Sequence, residues 1–152
     1  MQIFIDRIRV RNATDADFDL TFQIKKTSIK PYIEKIWGWE DAVQIEFHIK
    51  DFKPEKIKIL LDENNDAIGL LITTEDDTHI YIQSLLLCEN AQGKGIGTEI
   101  LHELIKQAKS KSKQIELQVF KVNKRAKALY ERLGFSTTGQ TAFHYRMSIA
   151  NF

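Results

Sequence analysis

Apolar positions change their period several times along the chain, and each change marks an element. Ile3 to Arg11 alternates, with Ile8 and Val10 set against Arg7, Arg9 and Arg11, as in a half-buried strand. Thr14 and Asp17 form a Thr-x-x-Asp capping pattern that opens a helix running to about Ile29, although Phe18, Leu20, Phe22 and Ile24 also fit alternation. Pro31 is expected to end that helix, because its ring removes a donor and crowds the preceding turn. A second helical stretch then covers Tyr32 to Trp37 and Glu40 to Ile49, with Gly38 as a kink. Ile57, Ile59 and Leu61 alternate with Lys56, Lys58 and Leu60, turn residues follow at Asn64 to Asp66, and Ala67 to Thr74 returns as the other half of a β-hairpin. A turn at Glu75 to Asp77 leads into Thr78 to Leu87, whose apolar density rises toward Leu85, Leu86 and Leu87, as in a central strand.

The helical period is clearest where Ile96, Ile100, Leu101, Leu104, Ile105 and Ala108 share a face, with Glu99, Glu103, Lys106 and Lys109 largely opposite. Ile115, Leu117 and Val119 alternate as a strand. Asn123 caps a helix whose apolar face is Ala126, Leu129, Tyr130 and Leu133, and Gly134 stops it. Phe143, Tyr145, Met147 and Ile149 alternate with His144, Arg146 and Ser148 as a last strand. Two strands joined through an amphipathic helix need a crossover, so 78–87 and 114–121 should run parallel. The expectation is an α+β fold: one mostly antiparallel sheet of six to seven strands, with helices on both faces.

With 152 residues, 43% of them hydrophobic and 28% charged, and neither repeats nor low-complexity segments, the chain reads as one domain over 1–152. Its 22 basic and 21 acidic residues leave a net charge of +1, so no global field draws it to nucleic acid or an anionic membrane. Cys88 is the only cysteine, which excludes an internal disulfide and points to a cytoplasmic protein. Asp6, Arg7 and Arg9 interrupt the opening apolar residues as no signal peptide would allow, and no run is long enough to span a membrane. His48, His79, His102 and His144 lack metal-ligand spacing, so no metal is expected.

Gly93, Gly95 and Gly97 fall within Gln92-Gly93-Lys94-Gly95-Ile96-Gly97, between the predicted central strand and the strongest helix. A helix start offers unpaired N–H groups and partial positive charge, and glycines let a phosphate reach them. Glycines also serve plain tight turns, but three in alternation favour an anion site. A P-loop needs Gly-Lys-Ser/Thr after four residues, which is absent, and a dinucleotide fingerprint would need Gly or Ala at Thr98.

The Gln-x-x-Gly-x-Gly turn resembles that of the GNAT superfamily of acetyl-CoA-dependent N-acetyltransferases. Asn123-x-x-Ala126-x-x-Leu129-Tyr130-x-x-Leu133-Gly134-Phe135 resembles the family's second signature, one strand later. The resemblance implies the GNAT fold, with its parallel pair at the coenzyme site. It also implies acetyl-CoA as cosubstrate, with Gln92, Gly93, Lys94, Gly95, Ile96, Gly97 and Thr98 on its pyrophosphate. Leu85, Leu86 and Leu87 would meet the pantetheine arm, the Leu87 N–H polarising the thioester carbonyl, and Asn123 would touch the coenzyme. Tyr130 matches the family's general acid, although its spacing alone also fits a packing residue. Transfer to a small-molecule or peptide amine would then proceed by direct attack in a ternary complex. The rival reading is a non-catalytic acyl-CoA-binding module.

An ammonium acceptor must lose a proton before it attacks. Alternation puts His79, Tyr81, Gln83, Leu85 and Leu87 on one face, so His79 and Gln83 are expected near the acceptor. Gln83 cannot take a proton, which leaves His79, Glu40, Asp41 or Glu46 as bases. Tyr32, Trp37, Trp39 and Glu40 concentrate aromatics and acid in the segment that the resemblance assigns to the acceptor side, where they suit a cationic amine, although a tryptophan there also anchors a helix on the core. Lys124 or Arg125 could meet the adenosine phosphates. The assembly expected is a monomer or homodimer.

Overall fold

The computed structural model describes residues 5–150, so the start of the first predicted strand, Ile3 and Phe4, lies outside the described residues. The elements run β1 (Arg9–Asn12), α1 (Phe18–Ile36), α2 (Asp41–Asp51), β2 (Ile57–Leu61), β3 (Ala67–Glu75), β4 (His79–Leu87), α3 (Ile96–Ser110), β5 (Gln114–Phe120), α4 (Lys124–Arg132), β6 (Ser136–Gln140) and β7 (His144–Ile149). The described residues form one seven-stranded sheet in the order β1-β2-β3-β4-β5-β7-β6. Its neighbours are antiparallel except for β4 and β5, the predicted parallel pair.

Helices cover both faces. On one, α3 buries Ile96, Ile100, Leu101, Leu104 and Ala108 against Ile80, Ile82, Ile115, Leu117 and Val119, and α4 adds Ala126, Leu129, Tyr130 and Leu133. On the other, Ile24 of α1 packs on Ile57, Ile59, Leu61 and Leu70. Helix α2 lies on α1 through His48, which is 2% exposed and sits among the rings of Phe18, Phe22 and Phe52. No helix of the described residues is long and apolar enough to cross a membrane.

Three expectations change. Pro31 does not end α1: the helix runs through it to Ile36, since buried Phe22, Ile24 and Ser28 on one side and Ile33 on the other hold it in place. Packing of that extent offsets the ~3 kcal/mol that an internal proline costs. Strand β6, Ser-Thr-Thr-Gly-Gln, had no apolar alternation to reveal it; it is an edge strand, largely exposed and held by its ladder to β7. The third concerns β4. Ile72 pairs with Ser84 and Thr73 with Ile82, so Gln83 is an extra residue, a β-bulge. Alternation reverses there: Ile80 and Ile82 face α3, and after the bulge so do Leu85 and Leu87. His79 and Tyr81 therefore point to the opposite side from Leu85 and Leu87, contrary to the shared face expected.

Candidate active site

Strands β4 and β5 are paired only from His79–Gln114 to Ile82–Leu117. Beyond that rung the bulge at Gln83 bends β4 away, and the two strand ends diverge without a ladder between them. A cleft of about 680 Å³ opens in the gap, bounded by α1, the turn before α3, and α4. The edge of β4 from Ser84 to Leu87 faces it with backbone groups that β5 does not pair.

The glycine turn closes one end. Gly93 and Gly95 have φ of +75° and +79°, a left-handed conformation in which a Cβ is strained. Gly95 is the N-cap of α3, and among the described residues no side chain caps that end, which leaves the first-turn N–H groups without a side-chain partner there. Gly95, Ile96, Gly97 and Thr98 all line the cleft. From outside, Arg7 holds the turn by donating to the Lys94 carbonyl at 3.1 Å and to Glu99 Oε1 at 2.7 Å. The Arg125 guanidinium lies beside Gly93 and also lines the cleft. The turn and Arg125 together fit a diphosphate.

Gln92 lines the cleft, while its Nε2 donates to the Leu87 carbonyl at 2.8 Å and so ties the turn to the end of β4. Asn123 Oδ1 accepts from Ala126 N at 3.1 Å, capping α4 as its sequence pattern predicts. At the other end Gly134 N donates to Glu131 O and Phe135 N to Tyr130 O, the paired bonds of a Schellman stop. Helix α4 thus holds Tyr130 in the cleft, its ring edge-on to Phe135 at 5.9 Å. Burial pushes the Tyr130 phenol above its usual pKa, and Tyr32 across the cleft adds to the shift. It remains a proton donor at neutral pH.

Leu85, Leu86, Leu87, Gln83 and Tyr32 line the cleft; Lys94, Trp37, Trp39, Glu40 and His79 do not. His79 lies at the paired end of β4, stacked on Tyr81 at 5.3 Å. Trp39 packs on Phe22, and its Nε1 donates to Asp41 Oδ1 at 2.6 Å. Trp37 is exposed, edge-on to Phe143 at 4.8 Å and to Phe120 at 6.3 Å.

Sequence reasoning missed Lys25, Ser28 and Ile29 on α1, Gln118 and Phe120 on β5, Arg132 on α4, and His144 on β7, all of which line the cleft. Lys25 Nζ lies 3.0 Å from His48 Nδ1, and His48 Nε2 is 2.9 Å from the Phe18 carbonyl. An ammonium only donates, so Nδ1 accepts and Nε2 carries the proton given to Phe18. Burial lowers the pKa of both groups. The one signal available was spacing: Lys25, Ser28, Ile29 and Tyr32 recur at three- and four-residue intervals, the period of a single helix face.

The Acetyltransferase (GNAT) family model matches residues 22–135. Spermine/spermidine N(1)-acetyltransferase of Bacillus subtilis (strain 168) is 34% identical over 81 residues, covering 50% of this chain and 53% of that protein, so the match spans about half the length of that curated relative. Among solved structures, the PaiA N-acetyltransferase from Thermoplasma acidophilum in complex with coenzyme A has a TM-score of 0.75 at 17% identity, covering 95% of this chain and 99% of that one. The ribosomal-protein-S18-alanine N-acetyltransferase from Escherichia coli has a TM-score of 0.66 at 17% identity, covering 93% and 92%. At such identities the likeness concerns the fold alone.

Proposed function

The chain belongs to the GNAT acetyltransferase family, and from that premise we propose that residues 1–152 act as one N-acetyltransferase domain that moves an acetyl group from acetyl-CoA to an amine by direct attack in a ternary complex. The observation that carries this reading is the opening between β4 and β5, with an uncapped helix start at one end and the Tyr130 phenol within it. When bound, acetyl-CoA supplies an acetyl thioester on a long arm that ends in phosphates. The N–H groups of the first turn of α3 and the Arg125 guanidinium meet those phosphates, by charge-assisted hydrogen bonds and the helix dipole. The unpaired edge of β4 at Leu85 to Leu87 meets the arm, and the Leu87 N–H donates to the carbonyl oxygen where charge develops. Gln92 acts through the strand end that it ties down. Tyr130 donates its proton to the departing sulfur.

The acceptor enters from the face of α1, where Ile29, Tyr32 and Phe120 line the wall. The charged side chains lining the cleft are cationic, Lys25, Arg125 and Arg132, with no carboxylate among the described residues. That lining repels a polyamine with several charges and suits an amine with a single charge and an apolar body.

Thiol release from acetyl-CoA, followed with spermidine, phenethylamine and a peptide with a free N-terminus, tests the reading. Phenethylamine or the peptide is expected to outrun spermidine. Tyr130→Phe should lower kcat about 100-fold and leave the coenzyme A Kd within twofold. An unchanged kcat removes the role of Tyr130. Binding of acetyl-CoA without thiol release on any amine makes the chain an acyl-CoA-binding module instead.

A further inference from the structure

The acids and histidine named from sequence as bases, Glu40, Asp41, Glu46 and His79, are all absent from the lining of the cleft. Asp41 is moreover held by Trp39 Nε1 and Lys26 Nζ. The titratable side chains that do line it are Lys25, Tyr32, Arg125, Tyr130, Arg132 and His144. Lysine and arginine are cations with no lone pair to offer at neutral pH, and a phenol does not accept an ammonium proton there. Of the six, His144 is the one whose side chain has an ordinary pKa below neutrality, so its imidazole has a lone pair to offer there.

Position supports the same choice. His144 pairs with Phe120 in the ladder of β7 and β5, and the rings lie 4.5 Å apart, so both side chains project from the same face of the sheet. That is the face of α1, since Met147 and Tyr145, out of phase with His144, belong to the core under α3 and α4. The ring's one hydrogen-bond partner among the described residues is the Thr141 hydroxyl, 3.5 Å from Nδ1. We propose that His144 is the general base that takes the proton from the acceptor's ammonium group.

The assignment rests on the transferase reading above. His144 takes one proton from the ammonium, leaving a neutral amine whose lone pair forms the C–N bond to the acetyl carbonyl carbon. The C–S bond breaks with its electrons going to sulfur, and Tyr130 protonates the thiolate. The proton shed by the new amide nitrogen returns to the Tyr130 oxygen, and the imidazolium releases its own to solvent. Burial lowers the His144 pKa. The charges around it do not reverse this: Lys25 from α1 and Arg132 from α4 are cationic, Arg146 on β7 faces Glu116 of β5 at 3.6 Å, and Lys121 follows Phe120.

The test follows thiol release from pH 5.5 to 9.5 with the same three amines, alongside histidine ring titration by NMR in the unliganded protein. His144, identified by the signal lost in His144→Gln, should titrate below about 6.5, and the acid limb of kcat/KM should coincide with it. His144→Gln should lower kcat/KM about 100-fold at pH 7, lose that limb and keep its coenzyme A Kd by calorimetry. In His144→Ala, added imidazole should restore part of the rate. A ring that titrates above 7, a His144→Gln rate within threefold of the parent with the limb intact, or His144→Ala unresponsive to imidazole overturns the assignment while leaving the transferase reading in place. No thiol release by the unaltered protein on any of the three amines overturns the transferase reading itself, and His144 with it.

Discussion

Asp17 joins β1 to the start of α1. Its carboxylate accepts from both ends of the Arg11 guanidinium at 2.8 Å and from Thr14 N at 2.8 Å. The Arg11 hydrogen bonds are the main reason its pKa falls from 3.8 to about 2. A carboxyl with a lowered folded value adds stability that is present above its unfolded pKa and is lost as pH falls through the folded one. The Arg11 side chain is 41% exposed, so solvent screening leaves about 1 kcal/mol. Asp17→Asn should cost that much in urea titrations at pH 7, and the difference from the parent should close between about pH 4 and pH 2. Asp17 was legible because its bond to Thr14 spans three residues. Asn123 was legible for the same reason, through Ala126. Lys25 and His144 were not, because what makes them cleft residues is His48 in one case and Phe120 in the other, more than twenty positions away.

The elements show the same division. Amphipathic α3 and the capped α4 follow from spacing alone, whereas β4 reads as one alternating strand until the sheet inserts Gln83 between two rungs. The neighbouring strand has a tight constraint of its own. A Cβ on Gly69 of β3 would lie 2.2 Å from the Leu86 carbonyl oxygen, a backbone atom of β4 that cannot move without spreading the two strands. Gly69→Ala should destabilise the protein by about 3 kcal/mol, read from the urea midpoint. Because Leu86 lines the cleft, coenzyme A affinity measured by calorimetry should fall as well. Helix α1 teaches the converse: a breaker as strong as Pro31 is overridden when the helix on both sides of it is buried.

Across the whole molecule, the cleft is walled by segments that otherwise belong to opposite faces of the sheet: α1 on one, α3 and α4 on the other. A ligand in it bridges them and stabilises the native state through mass action. At one hundred times its Kd, coenzyme A should add ~2.7 kcal/mol to the free energy of unfolding. On the proposed placement of the phosphates at this turn, Arg125→Ala should lose most of that gain at the same ligand concentration, because it removes the guanidinium beside Gly93. With a net charge of +1 the attraction is local to this end of the cleft. The amino-acid order alone determined the helix and strand periods, the caps, the left-handed glycine turn and the parallel crossover, since each depends on residues within one turn or on the connection between two elements. Only the tertiary structure decided where β4 parts from β5, that α1 passes through Pro31, and which distant side chains share the cleft, because ladder register and packing are settled between segments that the sequence keeps far apart.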